Sequence, residues 1–238
     1  TADTYNNDVT VVNTGASSVR LAYIGNTTFG GKMTISNSST GSLLFCEAAN
    51  ATSAFSDSIT LNNTSSGIIS FCPIASASAT LAAGKPIVVG ASGFTGGSLL
   101  LPRFTQSGTV PTNFNLGAAS LTVGPNTTFG GKVNFVASGI TLSGATFPDS
   151  AFIQKTGTAV NTGLGNNIFH GFTTLSKTAA AGAGTWQTNG SNTFNGRLRI
   201  ENASTSAILL GLLTADTYNN DVTVVNTGAS SVRLAYIG

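Results

Sequence analysis

TADTYNNDVTVVNTGASSVRLAYIG, residues 1–25, occurs twice in this chain. Residues 214–238 have the identical sequence. The second copy begins 213 positions after the first (214 − 1 = 213). An identical repeat is typical of a tandem array, in which one structural unit is copied along the chain. We therefore predict that residues 1–213 form one period and that residues 214–238 begin the next, identical period.

A shorter motif recurs inside this period. An aromatic residue is followed two positions later by a turn-forming residue, and then by two apolar residues that flank a polar one, as in Phe29 to Ile35 (FGGKMTI). One long gap of 74 positions, from Phe55 to Phe129, fits three turns with a degraded motif. Nine turns then share the period, at about 24 residues each, which is typical of a solenoid. The aromatic residues of the series are Tyr5, Phe29, Phe55, Phe129, Phe147, Phe169, Phe194 and Tyr218.

The apolar residues of each motif are two positions apart, as in Val9/Val11 and Met33/Ile35, which is the periodicity of a strand with one buried face. The chain is therefore predicted to be all-β, a parallel β-helix, right-handed like other parallel crossovers. We expect the aromatic residues to point into the core and to stack as a structural column. Asparagines eight positions after an aromatic residue mark a second corner, where stacked amides can hydrogen-bond along the column. They are Asn13, Asn37, Asn63, Asn202 and Asn226.

Residues 73–128 lack the aromatic residue that starts the repeated motif elsewhere, and they are rich in proline. Because proline fits corners and edges of a sheet, we expect local irregularity or a small outgrowth here. Leu99–Leu101 and Leu121–Val123 are nevertheless predicted to be buried strands. The prolines are Pro73, Pro86, Pro102 and Pro111.

The composition excludes several classes of protein. With 8% charged and 41% hydrophobic residues, the chain is too apolar for a disordered linker. No apolar run is long enough to span a membrane. Lysines and arginines are scattered singly, at a net charge of +2, so no nucleic acid partner is expected. Surface polarity from Ser, Thr and Asn is associated with exported bacterial surface proteins, and the lack of a signal peptide fits a piece of a longer chain.

Cys46 and Cys72 each lie 17 residues after the aromatic residue of their turn, in adjacent turns. Their predicted separation of roughly 5 Å suits a disulfide in distance, although in-register parallel strands are not ideal for one. The alternatives are a disulfide, which export favours, and a stacked pair of small thiols. Two cysteines without a histidine partner cannot close a zinc site, so no metal is expected.

Neither a catalytic residue nor a cofactor is expected. His170 is the sole histidine and has no carboxylate near it in the sequence. Asp57 and Asp149 are predicted turn residues, several turns apart and too distant for an acid pair that cleaves glycosidic bonds. A partial threonine column, as in ice-binding β-solenoids, is expected at Thr10, Thr34, Thr60 and Thr174. Asn134, Phe152 and Arg199 interrupt it and would spoil the flat surface that ice binding needs.

Several phrases resemble the long tandem repeats of giant cell-surface proteins in the Bacteroidota, including the mobile adhesins of gliding species. They are residues 2–15 (ADTYNNDVTVVNTG), 26–32 (NTTFGGK), 81–87 (LAAGKPI), 165–171 (GNNIFHG) and 192–196 (NTFNG). The resemblance implies export by the type IX system, an extracellular location anchored at the outer membrane, and a filament that touches a substratum or other cells. Asp57-Ser58-Ile59 and Asp149-Ser150-Ala151 also resemble the O-glycosylation sites of these bacteria, so Ser58 and Ser150 are predicted to be exposed and glycosylated.

The leading hypothesis is a non-enzymatic structural repeat of a cell-surface filament or adhesin, used in attachment or gliding. Its partners would be further copies of the repeat in the same chain, and a substratum or surface polysaccharide. One alternative is a carbohydrate-binding β-solenoid, and another is a β-helix enzyme that cleaves polysaccharides. Carbohydrate binding would need a groove lined by aromatic residues, for which the candidates are Tyr23, Phe104, Phe152, Phe172 and Trp186.

Overall fold

The computed structural model describes residues 2–235 and shows ten turns of a parallel β-solenoid, each built from three strands. The first five turns contain β1 (Asp3–Tyr5), β2 (Val9–Asn13), β3 (Val19–Leu21), β4 (Asn26–Phe29), β5 (Met33–Asn37), β6 (Leu43–Phe45), β7 (Thr52–Phe55), β8 (Ile59–Asn63), β9 (Ile68–Phe71), β10 (Ser78–Leu81), β11 (Ile87–Phe94), β12 (Ser98–Leu101), β13 (Phe104–Gln106), β14 (Thr112–Asn115) and β15 (Ser120–Val123).

Turns 6 to 10 continue in the same order, with one short 3-10 helix, Ala179–Ala181, in turn 8. Their strands are β16 (Thr127–Phe129), β17 (Val133–Ala137), β18 (Gly139–Leu142), β19 (Ala145–Phe147), β20 (Ala151–Lys155), β21 (Asn161–Gly163), β22 (Ile168–Phe169), β23 (Thr173–Lys177), β24 (Trp186–Thr188), β25 (Thr193–Phe194), β26 (Leu198–Asn202), β27 (Ile208–Leu209), β28 (Thr217–Tyr218), β29 (Val222–Asn226) and β30 (Val232–Arg233). The predicted parallel β-helix is confirmed, while its hand stays a prediction.

The three strands of each turn contribute to three faces of the solenoid. Face one is a single ten-stranded sheet that takes the first strand of every turn, from β1 to β28. Face two is divided into a four-stranded sheet (β2, β5, β8 and β11) and a six-stranded sheet that starts at β14. Face three is divided between β18 and β21 into sheets of six and four strands. Face one is therefore the face whose ladder runs unbroken through all ten described turns.

Alternation of side chains explains why these segments form strands around a core. In β5 the apolar residues Met33 and Ile35 are buried while Thr34 and Ser36 are half-buried on the outside. The same alternation recurs in β8, which pairs with β5 in register from Met33↔Ile59 onward. Stacking one turn on the next therefore places apolar residues on apolar residues, and the core is a continuous rod between the three faces.

The asparagine corner does not work as the sequence suggested. The Asn37 amide donates to the carbonyl of Gly41 at 2.9 Å, and its oxygen accepts from the N–H of Ser39. Asn63 makes the same contacts with Gly67 and Ser65, so each amide closes the corner of its own turn rather than bonding along the column. This arrangement satisfies buried backbone groups that the bend takes out of the ladder. A Cβ on Gly67 would lie 2.4 Å from the Asn37 amide nitrogen, which explains the glycine there.

The gap of 74 residues contains the three predicted turns. In register, Phe55 is followed along the column by Leu81 and Gln106 before Phe129. Leu99 to Leu101 lie in β12 and Leu121 to Val123 in β15, so both predicted buried strands are confirmed. Irregularity also occurs where expected, because the pairing of β11 with β8 shifts register between Val89 and Phe94. The four prolines of this region all lie outside strands.

Turn 10 repeats the first turn. Its strand β29 begins at Val222, 213 positions after Val9 at the start of β2 (222 − 9 = 213). It stacks on turn 9 in register, with Leu198 opposite Val222 and Ile208 opposite Val232. In the part of the chain that the structure describes, no helix has the length and apolar character needed to cross a membrane.

Candidate functional site

The aromatic residues of the repeated motif form a stacked column inside face one. Phe29 lies between Tyr5 and Phe55, with ring centroids 5.2 and 4.9 Å apart and nearly parallel planes. In the later turns Phe147, Phe169 and Phe194 stack at 4.9 Å, and Tyr218 follows Phe194 at 5.5 Å. The phenylalanines of the column are buried, whereas Tyr5 and Tyr218 of the terminal turns are partly accessible. The column therefore belongs to the core and is not a binding stripe.

A second aromatic pair lies on face three. Phe45 and Phe71 stack at 4.9 Å, and each meets the rings of face one edge-on, as Phe45 does with Phe29 at 6.4 Å. Phe45 and Phe71 lie two positions after the buried residues Leu43 and Ile69, as strand alternation requires, but their stacking depends on how two faces converge. Together the two columns fill the corner of turns 2 and 3 with interlocked rings.

Cys46 and Cys72 follow these two phenylalanines, and both are buried free thiols in left-handed backbone conformations with φ of 55° and 47°. The Cys72 thiol hydrogen-bonds the Cys46 sulfur, which lowers the pKa of Cys46 and raises that of Cys72. Cys46 Sγ also lies 2.9 Å from the hydroxyl oxygen of Ser53. The two free thiols lie on adjacent turns, after the register partners Phe45 and Phe71, and the choice between a disulfide and stacked thiols stays a prediction.

Two buried lysines stand at the asparagine corner in turns 7 and 8. Lys155 and Lys177 are register partners, and both side chains are almost fully buried. Lys155 donates to the carbonyl of Gly157, and Lys177 donates to the hydroxyl of Ser206. Desolvation lowers the pKa of Lys155, and desolvation together with the charge of Lys155 lowers the pKa of Lys177 to about 8. No ion pair involves either lysine within residues 2–235.

The lysine pair was not found by sequence reasoning. Lys155 and Lys177 occupy the position that the corner asparagine has in other turns. Lys177 pairs in register with one such asparagine, Asn202 of the following turn. An alignment of the turns by their aromatic residues would have exposed the substitution. The amines do the same structural work as the amides, because each donates a hydrogen bond into the corner.

The acidic residues and the histidine do not converge. Asp57 pairs with Lys85 at 3.2 Å, and the N–H of Ser58 and that lysine hold the pKa of the aspartate below its usual value. Asp149 accepts hydrogen bonds from the N–H and hydroxyl of Ser150. The two aspartates lie in turns 3 and 7, about 19 Å apart along the axis at about 4.8 Å per turn. The His170 ring contacts the Asn195 amide at 3.2 Å.

The two predicted O-glycosylation sites lie at the corner that leads into face two. Ser58 and Ser150 are half-buried rather than fully exposed, because their aspartate neighbours fold back onto them. Glycosylation of either serine stays a prediction.

The five aromatic candidates for carbohydrate binding separate into buried and exposed residues. Phe104 and Trp186 are 0% and 4% exposed, so they belong to the core and cannot contact a sugar. Tyr23 is exposed in turn 1, where Arg20 lies over its ring at 5.7 Å. Phe152 and Phe172 come together in one open groove on face two.

This Phe152–Phe172 groove has a volume of about 420 Å³ and lies between two outward columns of turns 5 to 8. Val133 and Ala151 belong to the buried column between them. The first outward column consists of the residues just before the strands: Pro111, Lys132, Ser150 and Phe172. The second consists of the outward residues inside the strands: Asn113, Asn134, Phe152 and Thr174.

Positive charge borders the groove. The Arg197 guanidinium lies over the Phe172 ring, 5.5 Å from its centroid, and Lys132 lines the groove itself. Neither side chain forms an ion pair within the described residues, whereas Arg199 beside them is paired with Glu201 at 2.6 Å. Two acids also lie near the groove: Asp149, whose carboxylate accepts hydrogen bonds from Ser150, and Asp221, which occupies the position of Arg197 one turn further along.

The predicted threonine column is present in part. Thr10, Thr34 and Thr60 are register partners on face two, while Thr174 pairs with Phe152 and Arg199 in the other sheet of that face. A longer column runs along the outside of face one, one position before the aromatic residues, and is interrupted at Ala54 and Ile168. Its members are Thr4, Thr28, Thr80, Thr105, Thr128, Thr146, Thr193 and Thr217.

Among the described residues, no group of three or more His, Cys, Asp or Glu side chains is arranged to hold a metal ion. No protein family, curated protein or solved structure matches this chain in sequence or fold comparisons.

Proposed function

We propose that this chain is one period of an extended cell-surface filament, an adhesin stalk or fibre that provides length and stiffness and performs no catalysis. The observation that carries the proposal is the register of turn 10 on turn 9. Because turn 10 has the sequence of turn 1, a further period can continue from it through the contacts that already join turns 1 and 2.

The continuity of the core supports this proposal. The interface between turns 9 and 10 contains the stacked rings of Phe194 and Tyr218 and the apolar pairs Leu198↔Val222 and Ile200↔Val224. At about 4.8 Å per turn, nine turns would extend the filament by roughly 43 Å per period. Each turn contacts only its neighbours, so such a chain can be lengthened without changing its core.

A non-enzymatic role is proposed because the residues that could do chemistry are dispersed. Asp57 and Asp149 are farther apart than the roughly 5–9.5 Å that separates the carboxylates of glycoside hydrolases. The resemblance to Bacteroidota repeats supplies the remaining parts of the proposal: export by the type IX system, attachment at the outer surface, and a use in adhesion or gliding.

The test is to express proteins with one, two and three tandem periods and to measure their length by electron microscopy. We expect rods that lengthen by roughly 43 Å with each period. Particles that widen as well as lengthen, or rods that fold back at the junction between periods, would overturn the filament proposal.

A further inference from the structure

The role of a stalk makes no use of the Phe152–Phe172 groove. We propose that this groove binds an extended polysaccharide that carries carboxylate groups, with sugar rings on the two phenylalanine faces and carboxylates against Lys132 and Arg197. The proposal deepens the filament proposed above, because it assigns a ligand class to one of its faces.

The two phenylalanines are placed as a binding surface and not as core. Phe172 is 45% exposed although it is a large apolar residue, and Phe152 is half-buried beside it. They lie on adjacent turns, one in each outward column, so their rings border the same stretch of groove. The C–H face of a sugar ring is apolar and flat, which suits an exposed aromatic ring that also has a polar surrounding.

The positive charges beside the groove favour a sugar that carries a carboxylate. Lys132 and Arg197 lie on opposite sides of the aromatic pair, in turns 6 and 9, without ion-pair partners in the described part of the chain. Different carboxylates of one polysaccharide chain could therefore each meet a cation. The Arg197 guanidinium already lies over the Phe172 ring, which leaves its edge free to donate to a carboxylate. Asp149, which accepts hydrogen bonds from Ser150, and Asp221, which occupies the position of Arg197 one turn further along, are acids near such a ligand.

The shape favours a chain over a small molecule. The groove crosses turns 5 to 8, which is about 14 Å along the axis at about 4.8 Å per turn. Asn113 and Asn134 are register partners at one end, and their amides can both donate to and accept from sugar hydroxyls. An acidic peptide would also bind the cations. It lacks sugar rings, whose apolar faces could pack on the two phenylalanines and whose hydroxyls could hydrogen-bond the asparagine amides.

Binding by one groove is expected to be weak, because the site is open to solvent. In a filament the groove would recur once per period, roughly every 43 Å, and a long polysaccharide could occupy several grooves together. This gain rests on the proposed filament, whereas binding by a single chain does not.

The test uses the single 238-residue chain, produced without O-glycans because Ser150 lines the groove. Polygalacturonate is the probe, and dextran and polyglutamate serve as the neutral polysaccharide and the acidic peptide; binding is measured by calorimetry at low salt. We expect binding of polygalacturonate alone, weakened about five- to tenfold in Phe172→Ala and in Phe152→Ala, and more in the double variant Lys132→Ala/Arg197→Ala.

Two matched variants serve as controls. Tyr23→Ala removes another exposed aromatic residue that an arginine covers, and Lys85→Ala removes an ion-paired lysine outside the groove; both should bind as the parent chain does. Unchanged melting of Phe172→Ala would show that its loss is local. No binding of polygalacturonate, equal binding of dextran or polyglutamate, or indifference to the groove variants would overturn the proposal. Rod formation is measured separately, so failure of the groove and failure of the filament are distinguishable.

Discussion

Turns 2 and 3 and turns 4 and 5 use the same rod-shaped core but fill it differently. In turns 2 and 3 Phe29 and Phe55 occupy the column of face one, and Phe45 and Phe71 interlock with them from face three. In turns 4 and 5 the positions of that column hold Leu81 and Gln106.

The aromatic volume in the second region comes from other positions. Phe104, two positions before Gln106, meets Phe71 edge-on at 5.4 Å and Phe129 at 6.2 Å. On face two Phe114 stacks on Phe135 at 5.2 Å. Because protein interiors are close-packed, the side chains of each turn must fill the core. They need not do so with the same residue at the same position.

The largest effect should come from the regular region. Phe29→Ala removes a fully buried ring that is stacked on both sides, so it should cost about 3–5 kcal/mol by leaving a cavity. Because turns share their core only with neighbours, hydrogen exchange should show lost protection in turns 1 to 3 and intact protection in turns 7 to 9. Phe172→Ala, which removes an exposed ring, is the control. Equal loss of protection along the whole rod would show that the turns do not behave as neighbours only.

A smaller effect is expected at the irregular position of the same column. Gln106 is buried, and its amide donates to the carbonyl of Lys85 while its oxygen accepts from the hydroxyl of Thr112. Gln106→Leu should cost about 1–3 kcal/mol in urea denaturation, because it leaves buried polar groups without partners. Adding Thr112→Val should recover part of this loss by removing one of them. A double variant as unstable as the single one would mean that the hydrogen bond with Thr112 does not stabilise turn 5.

A pH-dependent effect is expected in the regular turns 7 and 8, where lysines replace the corner asparagine. The pKa of Lys177 is about 8 in the folded chain and about 10.4 when unfolded. Between these values the unfolded chain holds a proton that the folded chain lacks, so stability should rise with pH across this window and be lowest below it. Urea denaturation at about pH 7 and about pH 10 measures the slope.

Lys177→Met is the matched variant, since it keeps an unbranched side chain and removes the charge. The Ser206 hydroxyl keeps its hydrogen bond to the carbonyl of Gly182 in this variant. The gain in stability with pH should shrink and not vanish, because the pKa of Lys155 is lowered as well. A slope that does not change would assign the pH dependence to other groups.

Local alternation and exact repetition are properties of the chain alone, so they were sufficient to predict the parallel solenoid, the number of turns, the stacked aromatic column and the 213-residue repeat. It also located the irregular region and its buried strands at Leu99 and Leu121. These features follow from one motif that is copied with small variations, so spacing along the chain becomes spacing along the axis.

The packing of the turns, by contrast, decides whether a residue that departs from the repeating pattern is exposed or buried. Phe104 and Phe172 are both phenylalanines outside the aromatic column, yet one fills the core and the other borders a groove. Lysine is seldom fully buried in proteins, yet Lys155 and Lys177 are both buried. Each of these outcomes depends on which residues of the neighbouring turns lie above and below, roughly 24 positions away, and on where the three faces converge. Such contacts join distant parts of the chain, so no local pattern could reveal them.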